Sequence, residues 1–219
     1  MKRSSFIRTG LLALAIASVS GCANWSAPDW LPLGERDKDW ITLLDGEKGM
    51  ENFDVVGNSN WAAIEGSIQA DKRGKDTGFL VTKDMYTNFQ LRVEFWSSPD
   101  ANSSIFMRCQ NPKVVTDKSC YEANIFDQRP DPSFGTGGIV HFAKVLAEVK
   151  AGDQWNTFDI TANDSKIIVM LNGVKTAELD HKQFAIGAIA LQHGAGTIKF
   201  RKVQIKKLWF VPQKTALPT

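Results

Sequence analysis

An all-β sandwich or barrel is the fold class this sequence predicts, and three observations carry it. Short apolar runs bounded by turn residues recur roughly every 8 to 12 residues between Trp40 and Leu208. Asn172-Gly173 separates two of these runs by two residues, the length and composition of a type I′ hairpin turn. Beyond an apolar N-terminal stretch, no window follows the i, i+3, i+4, i+7 spacing of an amphipathic helix, and Thr82 to Tyr86 suits one helical turn at most.

The 219-residue chain opens with Lys2, Arg3 and Arg8, passes through the apolar run Leu11 to Ala17, and reaches Val19-Ser20-Gly21-Cys22 with no acidic residue before Asp29. That order is an export leader. The apolar run is shorter than the about 20 residues that cross a bilayer, and small residues directly before a cysteine match a bacterial lipobox. The expectation is a signal peptide over residues 1–21, removed so that Cys22 carries lipid, against the alternative of an uncleaved anchor with an incidental Cys22. Ala23 rather than aspartate follows the cysteine, which directs the expected address to the outer membrane, facing the periplasm. Residues 22–39, with Pro28 and Pro32 and no periodicity, read as a tether, residues 40–210 as one domain, and residues 211–219 as a tail.

Within the domain the expected strands are Trp40 to Leu44, Trp61 to Ala70, Gly78 to Thr82, Phe89 to Trp96, Ser104 to Cys109 and Tyr121 to Phe126. They continue with Gly138 to Ala143, Asn156 to Ala162, Lys166 to Leu171, Val174 to Leu179, Ala185 to Gln192 and Thr197 to Leu208. Losing Lys2, Arg3 and Arg8 with the leader changes the balance from 26 basic against 24 acidic residues to 23 against 24. No basic block remains to track phosphates, which disfavours nucleic acid as a partner. With Cys22 assigned to the lipid, Cys109 and Cys120 are either a bridge, favoured in an oxidising compartment, or two free buried thiols.

Alternation sorts faces. Leu91, Val93 and Phe95 share one side of their strand and Arg92, Glu94 and Trp96 the other; Ile105 and Met107 oppose Ser104, Phe106 and Arg108; Ala123 and Ile125 oppose Glu122 and Asn124. The three strands are therefore expected to present Glu94, Trp96, Arg108, Glu122 and Asn124 together, carboxylates and amide for sugar hydroxyls and a flat ring for the sugar's C–H face. The competing reading is an ordinary solvated sheet face with cross-strand ion pairs.

At these residues the sequence resembles the 3-keto-disaccharide hydrolase family, whose fold is similar to concanavalin A-like lectins and glucanases. The resemblance rests on Trp40 to Gly46, Phe89 to Phe95, Asn102 to Arg108, Tyr121 to Asp127, Trp155 to Phe158, Leu171 to Gly173, Ala190 to Gly194 and Ile198 to Arg201, in that order. It implies a two-sheet antiparallel jelly roll with a site on its concave face, and cleavage of glycosides already oxidised at C3. A C3 ketone acidifies the C2 proton, so the glycosidic bond breaks by elimination followed by addition of water, which takes a base, an enolate stabiliser and an acid. The residues expected to fill these roles are Glu122 as base, Arg108 as stabiliser and Glu94 as proton donor or binding carboxylate, with Trp96, Asn124, Asp127, Gln192 and His193 binding substrate. The compact segment Asp127 to Gly138 replaces a longer glycine-rich insertion common in the family, so substrate preference does not transfer through it.

His141 and His193 lack metal-ligand spacing, and a packed or surface histidine is the plainer account of each. Asp127 and Asp131 are the pair suited to a divalent cation such as calcium, without the regular acidic ladder that binds it. Gly135-Thr136-Gly137-Gly138 reads as a turn, since no Lys-Ser/Thr follows and it enters a strand. No G-x-S-x-G elbow is present. Two other functions share the expected fold: a glycan-binding lectin-like module without chemistry, and a structural envelope lipoprotein.

Overall fold

Side chains that alternate in the sequence become a wet and a dry face in one of two sheets of the computed structural model, which describes residues 39–71 and 77–208. The strands are β1 (Trp40–Asp45), β2 (Phe53–Gly57), β3 (Ala62–Ile64), β4 (Ser67–Ala70), β5 (Gly78–Thr82), β6 (Phe89–Ser97), β7 (Ser103–Cys109), β8 (Tyr121–Ile125), β9 (Trp155–Asn163), β10 (Lys166–Leu171), β11 (Val174–Asp180), β12 (Ala188–His193) and β13 (Ile198–Lys207). The expected leader, Cys22, nearly all of the expected tether and the expected tail lie outside the described residues.

Eight strands form the larger sheet in the order β11-β10-β9-β6-β13-β4-β3, with β1 also pairing with β13. Five form the smaller sheet, β2-β5-β12-β7-β8. Every pairing between strands is antiparallel, and the two layers make a jelly-roll sandwich. Leu91, Val93, Phe95, Phe158 and Ile160 of the larger sheet pack against Leu80, Ile105, Met107, Ala123 and Leu191 of the smaller one, and Phe95 stacks on Phe158 at 5.1 Å between ring centroids. Burying a single side chain of this size stabilises the fold by about 1.5–3 kcal/mol, so this double layer supplies most of the driving force.

The larger sheet keeps a polar outer face, as the buried-intermediate alternation of β6 shows. The smaller sheet does not. Every residue of β5, β7 and β8 is buried, because a second apolar cluster of Phe79, Val81, Phe106, Val115, Ala188 and Ala190 forms on the side away from the core. Cys109 and Cys120 lie in that cluster and are bridged, their Cα atoms 4.3 Å apart, which decides between the two readings of these cysteines.

Asn172 and Gly173 have φ angles of 50° and 80°, and join β10 to β11 as expected of their dipeptide. Four elements differ from expectation. The run Trp61 to Ala70 is a hairpin, β3–β4, broken at Glu65-Gly66, which have φ angles of 50° and 71°. Strand β2 buries one residue of five and so lacks an apolar pattern; its place is fixed by its pairing with β5. Residues 138–143 form isolated bridges, Ile139 with Ala123 and with Ala143, instead of a strand. Residues 82–86 form no helical turn, and Tyr86 bridges to Gly187; the described helices are 3-10 turns at Met50–Asn52 and Pro132–Phe134.

Candidate active site

Pairing between β7 and β8 sets Ser104 opposite Asn124 and Phe106 opposite Glu122. Ile105, Met107, Ala123 and Ile125 point into the core, so these four side chains emerge on the far face of the smaller sheet. On the other side of β7, Leu191 of β12 lies opposite Ile105, which places Gln192 beside Ser104. Glu122, Asn124 and Gln192 are thus brought onto one face, with Ser104 between them.

Three polar groups form one network. Ser104 Oγ lies 2.7 Å from Glu122 Oε1 and 3.2 Å from Asn124 Oδ1, and Asn124 Nδ2 donates to the Phe134 carbonyl at 2.6 Å. Ser104 and Asn124 are fully buried and Glu122 retains 7% exposure. Burial pushes the Glu122 carboxyl above the usual carboxylate range; the Ser104 hydrogen bond pulls it down, Asp117 raises it, and Arg129 and His141 lower it. His141 Nε2 and Asp117 Oδ2 pair at 2.7 Å on the half-exposed rim. The free edge of β8 is closed by residues 137–140, where Gly137 N donates to Asn124 O, Asn124 N to Gly138 O, and Val140 N to Glu122 O, at 2.9–3.0 Å. The expected turn at Gly135 to Gly138 is therefore present and finishes the wall beside Glu122.

Glu94 and Trp96 are not part of this face. Strand β6 belongs to the larger sheet, and its core-facing residues Val93 and Phe95 turn Glu94 and Trp96 to the outside, so the sandwich, about 10 Å between sheets, separates them from Glu122. Glu94 Oε2 instead accepts from Arg201 Nε at 2.6 Å, Arg201 lies over the Trp155 ring at 4.2 Å, and Lys199 lies over Trp96 at 5.4 Å. The shared three-strand face fails because alternation gives the side of a strand without giving its sheet.

Arg108 is also elsewhere. A bulge sets Met107 and Arg108 against the single residue Ile189, and Arg108 takes a φ of 52°. Its side chain passes to the end of the sandwich and is fully buried, with Nε and Nη2 donating to Thr87 O at 2.9 and 2.6 Å, and Nη1 to Asp164 O and Phe184 O at 2.8 and 3.1 Å. The guanidinium ties β7 to the ends of the larger sheet and has no path to an enolate at Glu122. Gly187 permits the crowding: a Cβ there would sit 2.3 Å from the Arg108 carbonyl carbon.

Asp127 binds protein. Its carboxylate accepts from Thr136 Oγ1 at 2.6 Å and from the amides of Ala151 and Gly152 at 2.9–3.2 Å, stapling both ends of the β8–β9 connection. A cavity of about 320 Å³ beside this staple is lined by Phe126, Asp127, Thr136, Lys144, Val145 and Lys150, and does not reach Glu122. Asp131 accepts from Ser133 N, and among the described residues no three His, Cys, Asp or Glu side chains converge as a cation site would need. His193 is buried under the sheet end, its Nδ1 2.8 Å from Ser59 Oγ, its Nε2 3.2 Å from Gly196 O, and its ring edge-on to Trp61. Gln192 Oε1 is buried and has no hydrogen-bond partner among the described residues.

Sequence reasoning set Ser104 on the right face but gave it no role; the signal was a hydroxyl at the register position between two acceptors of the next strand. Arg129, His141 and Asp117 come from irregular segments with no period to place them.

The sequence profile of a family described as a 3-keto-alpha-glucoside-1,2-lyase-like domain matches residues 39–206. Among curated proteins, no sequence matches the chain. Two proteins of Parabacteroides distasonis, named as candidate glycosyl hydrolases, share its fold: one with a TM-score of 0.69 at 18% identity, covering 82% of this chain and 98% of its own, the other 0.62 at 26%, covering 77% and 99%. A family 66 carbohydrate-binding module of Bacillus subtilis aligns with a TM-score of 0.54 at 16% identity, over 77% of this chain and 96% of its own.

Proposed function

The chain belongs to the 3-keto-alpha-glucoside-1,2-lyase-like family, and we propose that it cleaves 3-keto-glycosides at the far face of its smaller sheet, with Glu122 as the base. The observation that supports this reading is a carboxylate almost removed from water, held on Ser104, with Arg129 and His141 near enough to favour its charge. A carboxyl shifted upward is a stronger base once ionised, which suits removal of the acidified C2 proton of a 3-keto sugar. The electron pair of that C–H bond moves towards C3, the C1–oxygen bond breaks, and the leaving oxygen takes a proton; water then adds to the unsaturated sugar.

Arg108 is replaced in this scheme, and in place of Glu94 it is Glu122 that hands the proton it has taken to the leaving oxygen. The positive charge for the enolate oxygen comes from Arg129, which lies near enough to Glu122 to favour its ionised form. Gln192 Oε1, a buried acceptor without a partner among the described residues, takes a sugar hydroxyl. The protein reaches its substrate as a lipoprotein anchored through Cys22 at the outer membrane, which confines that substrate to glycosides present in the envelope.

The test is incubation of the protein with 3-keto-trehalose or 3-keto-sucrose, following release of monosaccharide. Glu122→Gln is expected to lower the rate at least about hundredfold; equal rates for the two proteins would remove Glu122 from catalysis. Tight sugar binding by a wild type that releases nothing would instead favour the lectin-like reading, which the carbohydrate-binding module among the structural neighbours supports.

A further inference from the structure

Ser104 Oγ has one proton and three acceptors around it: Ser103 O at 2.5 Å, Glu122 Oε1 at 2.7 Å and Asn124 Oδ1 at 3.2 Å. All of these contacts are buried, so solvent does not supply the missing donors. With Glu122 ionised, the serine proton goes to the carboxylate, the strongest acceptor, and Asn124 Oδ1 is left without it. With Glu122 protonated, the carboxyl donates to Ser104 Oγ and the serine proton turns to Asn124, so that each proton is used once. The hydroxyl thus bonds the same carboxyl oxygen in both states by reversing direction.

The geometry points to Ser104 as a positioning residue for Glu122, whose hydroxyl holds Oε1 before and after proton transfer so that the carboxyl can take a proton from a sugar carbon and give it back without moving. This rests on the reading of Glu122 as the base. Asn124 is the far end of the relay and is itself fixed by its bond to Phe134 O. The other groups facing Glu122 are Phe106 on β7, Asp117 in the bridged loop, and Arg129 and His141 in the β8–β9 connection.

The two directions are unequal, since a hydrogen bond to a charged acceptor is stronger than one between neutral groups. Removing the hydroxyl therefore disfavours the ionised carboxyl. The experiment is a carbon-13 NMR titration of the Glu122 carboxyl in the full chain in detergent micelles, assigned by its loss in Glu122→Gln. Ser104→Ala is expected to raise the midpoint by about one pH unit, and Ser104→Thr, which keeps the hydroxyl, to leave it in place. A Ser104→Ala midpoint unchanged or lowered overturns the proposal, as does a Ser104→Thr midpoint that moves with it. If Ser104→Ala does not fold, Ser104→Cys, with its weaker donor, is expected to shift the midpoint in the same direction, and no shift overturns the proposal equally. On 3-keto-trehalose, Ser104→Ala is expected to move the acid limb of the pH profile upward and lower kcat about tenfold with little change in KM. Absence of activity in the wild type would end the catalytic reading and leave the NMR titration standing as the test of the relay.

Discussion

The outer faces of the two sheets carry the same residue type at alternating positions and put it to different uses. On the larger sheet Glu94 meets Arg201 at the surface, their side chains 25% and 45% exposed, beside Trp155 and Trp96 and the cations lying over them. On the smaller sheet Glu122 meets a serine hydroxyl in a nearly closed environment, under an apolar cluster and a disulfide-bridged loop. Water screens the first charge and its partner answers it, whereas the second has lost its hydration and is met by one hydrogen bond and distant rim charges. A carboxylate becomes chemically useful here through what covers its sheet.

The comparison can be broken first at Arg108, which locks the covered sheet to the other. Arg108→Leu leaves the carbonyls of Thr87, Asp164 and Phe184 buried without donors and should destabilise the domain by about 4 kcal/mol, read from urea unfolding. A loss under about 1 kcal/mol would show the cage to be dispensable. Replacing both Cys109 and Cys120 with serine opens the loop over the second cluster and should cost about 3 kcal/mol, seen as a lower unfolding midpoint that reductant also produces in the wild type.

The carboxylates sharpen it next. Glu122 binds its proton more tightly folded than unfolded, so its contribution to stability is full below the ordinary glutamate range and is lost as pH rises through its folded midpoint. Glu122→Gln should flatten the fall in unfolding free energy across that window, and an unaltered slope would mean that the group is hydrated. Glu94→Gln gives the smallest effect, under about 1 kcal/mol and without loss of turnover on a 3-keto-disaccharide, because it breaks only a surface ion pair. A loss of activity there would return the larger sheet to the catalytic account.

Legibility in the sequence followed the same division. The strands of the half-wet sheet alternate, and β10, β6 and β9 fell where their patterns placed them, as did the hairpin at Asn172-Gly173. In β7 and β8 the alternation was still readable, so Ser104, Glu122 and Asn124 were set on one face, and the register confirms it. Sheet membership was not readable, because β6 and β7 are neighbours in sequence but lie in different layers, and that one fact removed Glu94 and Trp96 from the site. Asp127 and His193 sit in conspicuous segments, yet their polar atoms are taken by protein groups, which only distances reveal. Rim residues such as Arg129 come from a connection without periodicity, where local pattern does not predict position.

The bulge at Met107 and Arg108 acts as a frameshift in the strand's inside–outside code. An uninterrupted two-residue period would send Cys109 inward, away from Cys120, since Ile105 and Met107 point inward. The extra residue reverses the parity, Cys109 emerges on the side where Cys120 stands, and the bridge closes there. Deleting one residue at this point would therefore expel the arginine from its cage and separate the two sulfurs at once, making one irregular step the shared origin of the domain's covalent clasp and of its buried cation.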